Sequence, residues 1–190
     1  MPSHLLKTWI AEEKQAGAKN PQHAVLSTVT ADGTPDARIV AIREIDETLI
    51  FFTQSGTKKV SEMRANPRVN LTFWFDRYQR EVIINGQVAL LTPHENETYW
   101  QSYPKEAQIR FYAYAPTSGQ PIMSKDMLEQ KRIAIQQEYS EKTLPMSSYY
   151  CGFRVIPEQF IFYHYRADVL SDVVEYTWDK NLWKKQLLSP

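Results

Sequence analysis

Apolar residues recur along this chain at two periods, and the changes of period divide it. Leu5, Leu6, Trp9 and Ile10 share one helical face behind Ser3, a helix-capping residue type, and Gly17 supplies a stop. Alternation at period two then predicts strands over 24–30, 36–45 and 48–53, the first two joined by the turn Ala31-Asp32-Gly33-Thr34. The period becomes helical over 56–65 and stops before Pro67. Two long strands follow, 68–76 and 80–91, connected through Tyr78 and Gln79. Gly86, inside the second of them, predicts a bulge or bend.

From Pro93 the pattern is helical again, over 97–103 and 106–112. The loop Ala115-Pro116-Thr117-Ser118-Gly119-Gln120-Pro121 separates these from a helix over 125–139. Ser124 and Asp126 open that helix, and Met127, Leu128, Ile133 and Ile135 are its expected apolar contacts. Strands are expected over 150–156, 160–165, 172–178 and 182–188, with Asp179-Lys180-Asn181 turning the last pair. This many short-linked strands with helices on one flank predict an α+β, mainly β fold: a small antiparallel barrel. The expected organisation is one domain over 1–190, with an N-terminal helix within 1–20 and a helical flank over 93–140.

Composition narrows the function classes. The 190 residues carry 22 Lys+Arg against 22 Asp+Glu, which argues against nucleic acid as the main partner, since such binding needs a basic excess. A local cluster for a phosphate is still permitted. The single cysteine, Cys151, forbids an intrachain disulfide, and with four histidines it gives no cysteine-based zinc site; no metal is expected. Residues 1–15 are charged throughout, unlike a signal peptide, and no window reaches the ~18 apolar residues of a membrane span. A cytoplasmic protein is the expectation. Aromatics at 13% suit β-structure, a broad interface or a planar ligand.

Hydrolase and dinucleotide motifs are absent, and no residue stands out as catalytic. The most informative stretch is Gly56-Thr57-Lys58-Lys59 at a helix start. A helix N-terminus disfavours cations, so two lysines there make sense around a bound anion; a solvated basic turn is the competing reading. Arg38-Ile39-Val40-Ala41-Ile42-Arg43 is an apolar strand with an arginine at each end, suited either to a phosphate or to pairing with carboxylates. Glu81 lies on a strand that can form a barrel wall. Tyr99, Trp100, Tyr103, Tyr112 and Tyr114 can cover a flat ring or fill a core seam, and His164 reads as a strand-surface residue.

In order and spacing these pieces resemble the pyridoxamine 5′-phosphate oxidase family of FMN flavoproteins. The resemblance runs from Gln22 to Pro190. It rests on the Asp32-Gly33 turn, Arg38-Ile39-Val40, Phe51-Phe52-Thr53, Gly56-Thr57-Lys58-Lys59 and Asn66-Pro67-Arg68-Val69, then on Gly152-Phe153-Arg154-Val155, Pro157-Glu158-Gln159 and Leu188-Ser189-Pro190. It implies a homodimeric split barrel with FMN at the subunit interface and a hydride passed from a small-molecule substrate to the flavin. By position, Arg38, Thr57, Lys58 and Lys59 would hold the FMN phosphate and ribityl chain. Ile39, Val40, Phe52, Thr53, Glu81 and Thr117 would complete the cofactor site, and Arg43 and Tyr99 would touch substrate.

The departures from the family pattern concern the substrate. Val169-Leu170-Ser171-Asp172 stands where the family's oxidases carry Arg-Leu-His before Asp, Tyr103 stands for an Arg and Ala107 for a Ser. On the cofactor side Glu81 and Pro116 each replace a Gln, Val173 an Arg and Tyr163 a Trp. The expected activity is therefore an FMN-dependent oxidoreductase resembling pyridoxamine 5′-phosphate oxidase. A flavoenzyme for another substrate, or a non-catalytic carrier of FMN or a B6 vitamer, is the alternative.

Overall fold

The computed structural model describes residues 1–190. Eight strands lie in the order β3-β2-β1-β4-β5-β6-β7-β8, and an added β3–β6 pairing closes the first six into an antiparallel barrel. They are β1 (His23–Val29), β2 (Pro35–Ile45), β3 (Leu49–Gln54), β4 (Arg68–Phe75), β5 (Arg80–Leu90), β6 (Tyr150–His164), β7 (Asp172–Asp179) and β8 (Leu182–Leu188). Five helices accompany them: α1 (Pro2–Gln15), α2 (Lys58–Ala65), α3 (Pro93–Gln101), α4 (Lys105–Tyr114) and α5 (Lys125–Glu138). The small antiparallel barrel expected from the strand pattern is the fold found, in the split-barrel form that the resemblance implies.

Two compact units emerge: Met1–Phe52, Glu62–Ala89 and Phe153–Pro190 form the barrel unit, while Thr53–Ser61 and Leu90–Gly152 form the helical unit. In the barrel unit, β4 and β5 bury every second residue, including Leu71, Phe73, Val82 and Ile84, as a one-sided sheet must. Phe51 stacks on Phe153 at 5.7 Å inside it. Helix α1 docks through Trp9, set edge-on to Phe75 and Phe162. In the helical unit the core gathers on buried Trp100, whose ring meets Phe111 and Tyr150 and whose Nε1 donates to the Leu144 carbonyl at 3.0 Å.

Three local expectations change. Gly86 forms no bulge: the β4–β5 register runs unbroken from Arg68↔Gln87 through Val69↔Gly86 to Phe75↔Arg80. Its reason is close approach, because a Cβ there would sit 2.2 Å from the Ile156 carbonyl oxygen. The bulge falls instead at Arg43, where the β2–β3 register shifts between Ile42 and Glu44. The expected break between strands 150–156 and 160–165 is also absent. β6 runs unbroken through buried Pro157 as one long strand.

Helix α3 begins at Pro93, where the pattern turns helical, and Thr92 and Glu95 build a full capping box there. Helix α5 buries none of its residues fully: of its expected apolar contacts Leu128 and Ile135 are half-buried, whereas Met127 and Ile133 are exposed. At 100° per residue Leu128 and Ile135 share one side and Ile133 lies on another, so no single stripe exists to bury. The sharp turns follow their residue types: Gly33 takes φ +88°, and Lys180 and Asn181 take +49° and +64° in the two-residue β7–β8 hairpin.

Candidate functional site

Within the helical unit, the end of β3 and the start of α2 make a cluster of donors. Thr57 is buried, and its hydroxyl donates to the Gln54 carbonyl at 2.9 Å, which fixes the turn into α2. Lys58 and Lys59 then open the helix, so two cationic side chains start where backbone N–H groups already point outward. Lys59 Nζ lies 3.4 Å from Thr53 Oγ1, and Cys151 Sγ lies 3.5 Å from the Thr53 carbonyl. Ser118 N donates to Gln54 Oε1 at 3.3 Å, tying the loop that carries Thr117 to the same strand end.

Gln54 was invisible as a site residue in the sequence. It is 2% exposed, and its Nε2 is a buried donor with no acceptor. An orphaned buried donor costs about 1–3 kcal/mol unless something satisfies it. Its only sequence signal is a polar residue ending an otherwise apolar strand, directly before Gly56-Thr57-Lys58-Lys59.

The barrel unit treats its arginine differently. Arg38 lies on the inward side of β2, opposite Leu26, and its Nη2 bonds Asp36 and Glu62, each at 2.9 Å. Its Nη1 donates to the Thr28 hydroxyl, which in turn donates to Glu62 at 2.6 Å. Glu62 is 4% exposed, so Arg38 is the cation that makes this buried carboxylate tolerable. The sequence offered carboxylate pairing and phosphate binding as two readings of Arg38, and the pairing is present.

The remaining expected residues are placed as follows. Val40 is buried and Phe52 half-buried, whereas Ile39 is 69% exposed on the opposite face of β2. Glu81 pairs with Trp74 across β4–β5 and is half-buried; burial pushes its carboxyl above the usual range. Arg43 is exposed at the β2–β3 bulge, and Tyr99 is half-buried on α3. His164 packs against Trp9, and burial, helped by Arg166, lowers its pKa. Thr53, Thr57, Lys59 and the Thr117 loop are thus brought together around Gln54 within the helical unit. Arg38 has its own network within the barrel unit.

The family comparisons fit this geometry. The family model described as pyridoxamine 5′-phosphate oxidase matches residues 10–139, and the pyridoxine 5′-phosphate oxidase C-terminal dimerisation region matches 150–190. This chain belongs to the pyridoxamine 5′-phosphate oxidase family. Among curated members it is 32% identical to a pyridoxine/pyridoxamine 5′-phosphate oxidase of Trichormus variabilis, over 100% of this chain and 88% of that protein. The enzyme of the same description from Escherichia fergusonii is 30% identical, over 100% and 86%.

Among solved structures of the family fold, PhzG from Burkholderia lata superposes with a TM-score of 0.89 at 25% identity, covering 100% of this chain and 92% of that one. That structure is a complex with tetrahydrophenazine-1-carboxylic acid. A pyridoxamine 5′-phosphate oxidase-related, FMN-binding protein from Nostoc punctiforme follows at 0.80 and 17% identity, covering 100% and 98%, and speaks for the fold alone. No helix is long and apolar enough to cross a membrane.

Proposed function

We propose that this chain is an FMN-dependent oxidoreductase that acts as a homodimer on a small molecule other than a B6 phosphate ester. The observation that carries the flavin is the donor cradle at the start of α2: Thr57, Lys58, Lys59 and the orphaned Gln54 amide. Its chemistry fits a phosphate, which supplies several acceptor oxygens and charge for two cations. FMN, when bound, supplies a two-electron acceptor for a hydride from substrate. The protein's part is to bind and orient.

In this reading the lysine turn holds the phosphate. Thr53 and Thr117, in the same unit, continue the cradle; Arg38, Ile39, Val40, Phe52 and Glu81 are cofactor candidates by their position in the family pattern. Arg38 is shared by two carboxylates, which reduces what it can give to a bound anion. The dimerisation region over 150–190 supports the homodimer.

The substrate is argued from what the site lacks. Tyr103, Ala107, Val169 and Ser171 stand where a B6 oxidase of this family would place two arginines, a serine and a histidine. Each lost arginine removes a bidentate charge-assisted clamp on an anion. Val169 is 63% exposed and Leu170 82%, so the segment presents apolar surface there. The PhzG complex gives a family precedent for a multi-ring ligand. Arg43 and Tyr99 remain as candidate substrate contacts.

The test is a flavin titration followed by an anaerobic substrate screen. The purified protein should take up FMN with a perturbed visible spectrum, and pyridoxine 5′-phosphate should leave that spectrum oxidised. A protein that ignores FMN would remove the proposal. Rapid bleaching by pyridoxine or pyridoxamine 5′-phosphate would restore the B6 substrate. Bound FMN that no reductant reaches would leave a carrier.

A further inference from the structure

Helices α4 and α5 lie antiparallel within the helical unit, tied by two lysines. Lys105 Nζ donates to the Ser140 carbonyl at 2.8 Å, and Lys131 Nζ to the Ala115 carbonyl at 2.6 Å. Beside the first tie the side chains leave a cavity of about 640 Å³, with buried Ile109 as its one apolar wall. No residue of the lysine turn lines it, nor does any position assigned above to cofactor or substrate.

The charged groups around this cavity fall into two sets. Arg132 is committed, its Nε donating to Glu129 at 2.7 Å and its Nη1 to the Gln136 Oε1 at 3.1 Å. Lys105 is spent on Ser140. Glu106 and Arg110 are not committed: neither makes a hydrogen bond or an ion pair. Yet they stand one turn apart on α4, carboxylate first, the order that favours pairing. The cavity therefore presents one open anion and one open cation on a single helix, with Cβ atoms roughly 5–6 Å apart.

A simple anion would satisfy Arg110 and be repelled by Glu106 and Glu129, and a simple amine would reverse the fault. A zwitterion satisfies both open charges at once. We infer that the α4–α5 cavity is a binding site for a free α-amino acid with a polar side chain. The α-carboxylate accepts from the Arg110 fork, and the α-ammonium donates to Glu106. Gln136 spends its Oε1 on Arg132, so its amide N–H groups remain to donate to a side-chain acceptor of the ligand. With Ile109 as the one apolar wall, an aliphatic side chain would gain little there. The site is independent of the flavin reading above.

The experiment is calorimetric titration of the purified protein with L-glutamine and with two analogues that each lack one charge. N-acetyl-L-glutamine has no ammonium, and L-glutaminamide has no carboxylate. Glutamine should bind, and each analogue should bind about tenfold or more weakly, the worth of one charge-assisted contact. Arg110→Gln and Glu106→Gln should each lower glutamine affinity by a similar factor and leave FMN uptake unchanged. Both positions are exposed, so the variants should unfold in urea as the parent does. Arg110→Lys keeps the charge without the fork and should recover only part of the affinity. Absence of glutamine binding overturns the inference, and so do curves that superpose across the variants. N-acetyl-L-glutamine binding as tightly as glutamine would reduce the site to an anion cleft. A shift from dimer to monomer in Arg110→Gln would make Arg110 a subunit contact, and it too overturns the inference.

Discussion

The barrel unit and the helical unit solve the problem of burial in opposite ways. The barrel spreads its core over many strands, so that Leu26, Leu71, Phe73, Ile84, Val155 and Phe160 each fill a small share of one interior. The helical unit concentrates its core on one indole, with Phe111, Tyr112, Tyr103 and Tyr150 ranged around Trp100. A distributed core tolerates the loss of one side chain better than a centred one. Period-two alternation writes the first kind plainly into a sequence; a single tryptophan writes the second hardly at all.

That contrast is broken most directly at its centre. Trp100→Ala removes the largest buried side chain in the helical unit and leaves the Leu144 carbonyl without its donor. A loss of about 4 kcal/mol is expected, from the cost of buried aromatic truncation. Urea unfolding measures it, and a loss below about 1 kcal/mol would show that the aromatic ring around Trp100 closes over the gap.

The barrel's most sensitive point is a glycine rather than a large residue. Gly86→Ala places a methyl 2.2 Å from the Ile156 carbonyl oxygen and 3.0 Å from the Pro157 Cα, both backbone atoms that cannot swing aside. Overpacking of this kind costs about 3 kcal/mol, and the same denaturation curve reads it. A variant as stable as the parent would mean that β5 and β6 can separate without penalty.

These two positions also mark where the sequence was legible. The strand alternation located β1 to β5, β7 and β8 within a residue or two, because one buried face per strand leaves a period that nothing else imitates. It misread Gly86 as a local bulge and split β6 at 157–159, because the close approach of β5 to β6 at Gly86 and Ile156 is a long-range contact that no local pattern records. The lysine turn was legible through its conflict with the helix dipole. Gln54 and Glu62 were not, since their roles come from burial and partners far along the chain. Glu62 reads as an ordinary surface charge until Arg38 is placed beside it.

The two cationic sites sharpen the comparison further. Lys58→Ala combined with Lys59→Ala should weaken FMN by about a hundredfold or more, since charge-assisted contacts contribute about 1.5–3 kcal/mol each. Arg38→Ala should weaken it less than tenfold, because Asp36 and Glu62 already share that guanidinium. Its main effect is on folding: Glu62, buried and stripped of its cation, costs about 3 kcal/mol. Flavin titration and unfolding on the same samples separate the two outcomes. Equal loss of FMN affinity in both variants would make Arg38 a phosphate ligand in full.

The smallest effect belongs to α5, the element whose core the pattern promised and the fold withheld. Met127 is 50% exposed and Ile133 46%, and no residue of the helix is buried. The helix is held by half-buried Leu128 and Ile135 together with polar ties and a cap: Lys131 Nζ donates to the Ala115 carbonyl at 2.6 Å, and the Ser124 hydroxyl accepts from Met127 N at 3.3 Å. Met127→Gln and Ile133→Gln should each change stability by less than about 0.5 kcal/mol, as surface substitutions do. Ser124→Ala, which removes the cap, should cost about 1 kcal/mol of helix stability and outweigh either. If Ile133→Gln proved the costlier change, α5 would be covered in solution, and the contrast between a distributed barrel core and a centred helical one would need a third buried surface.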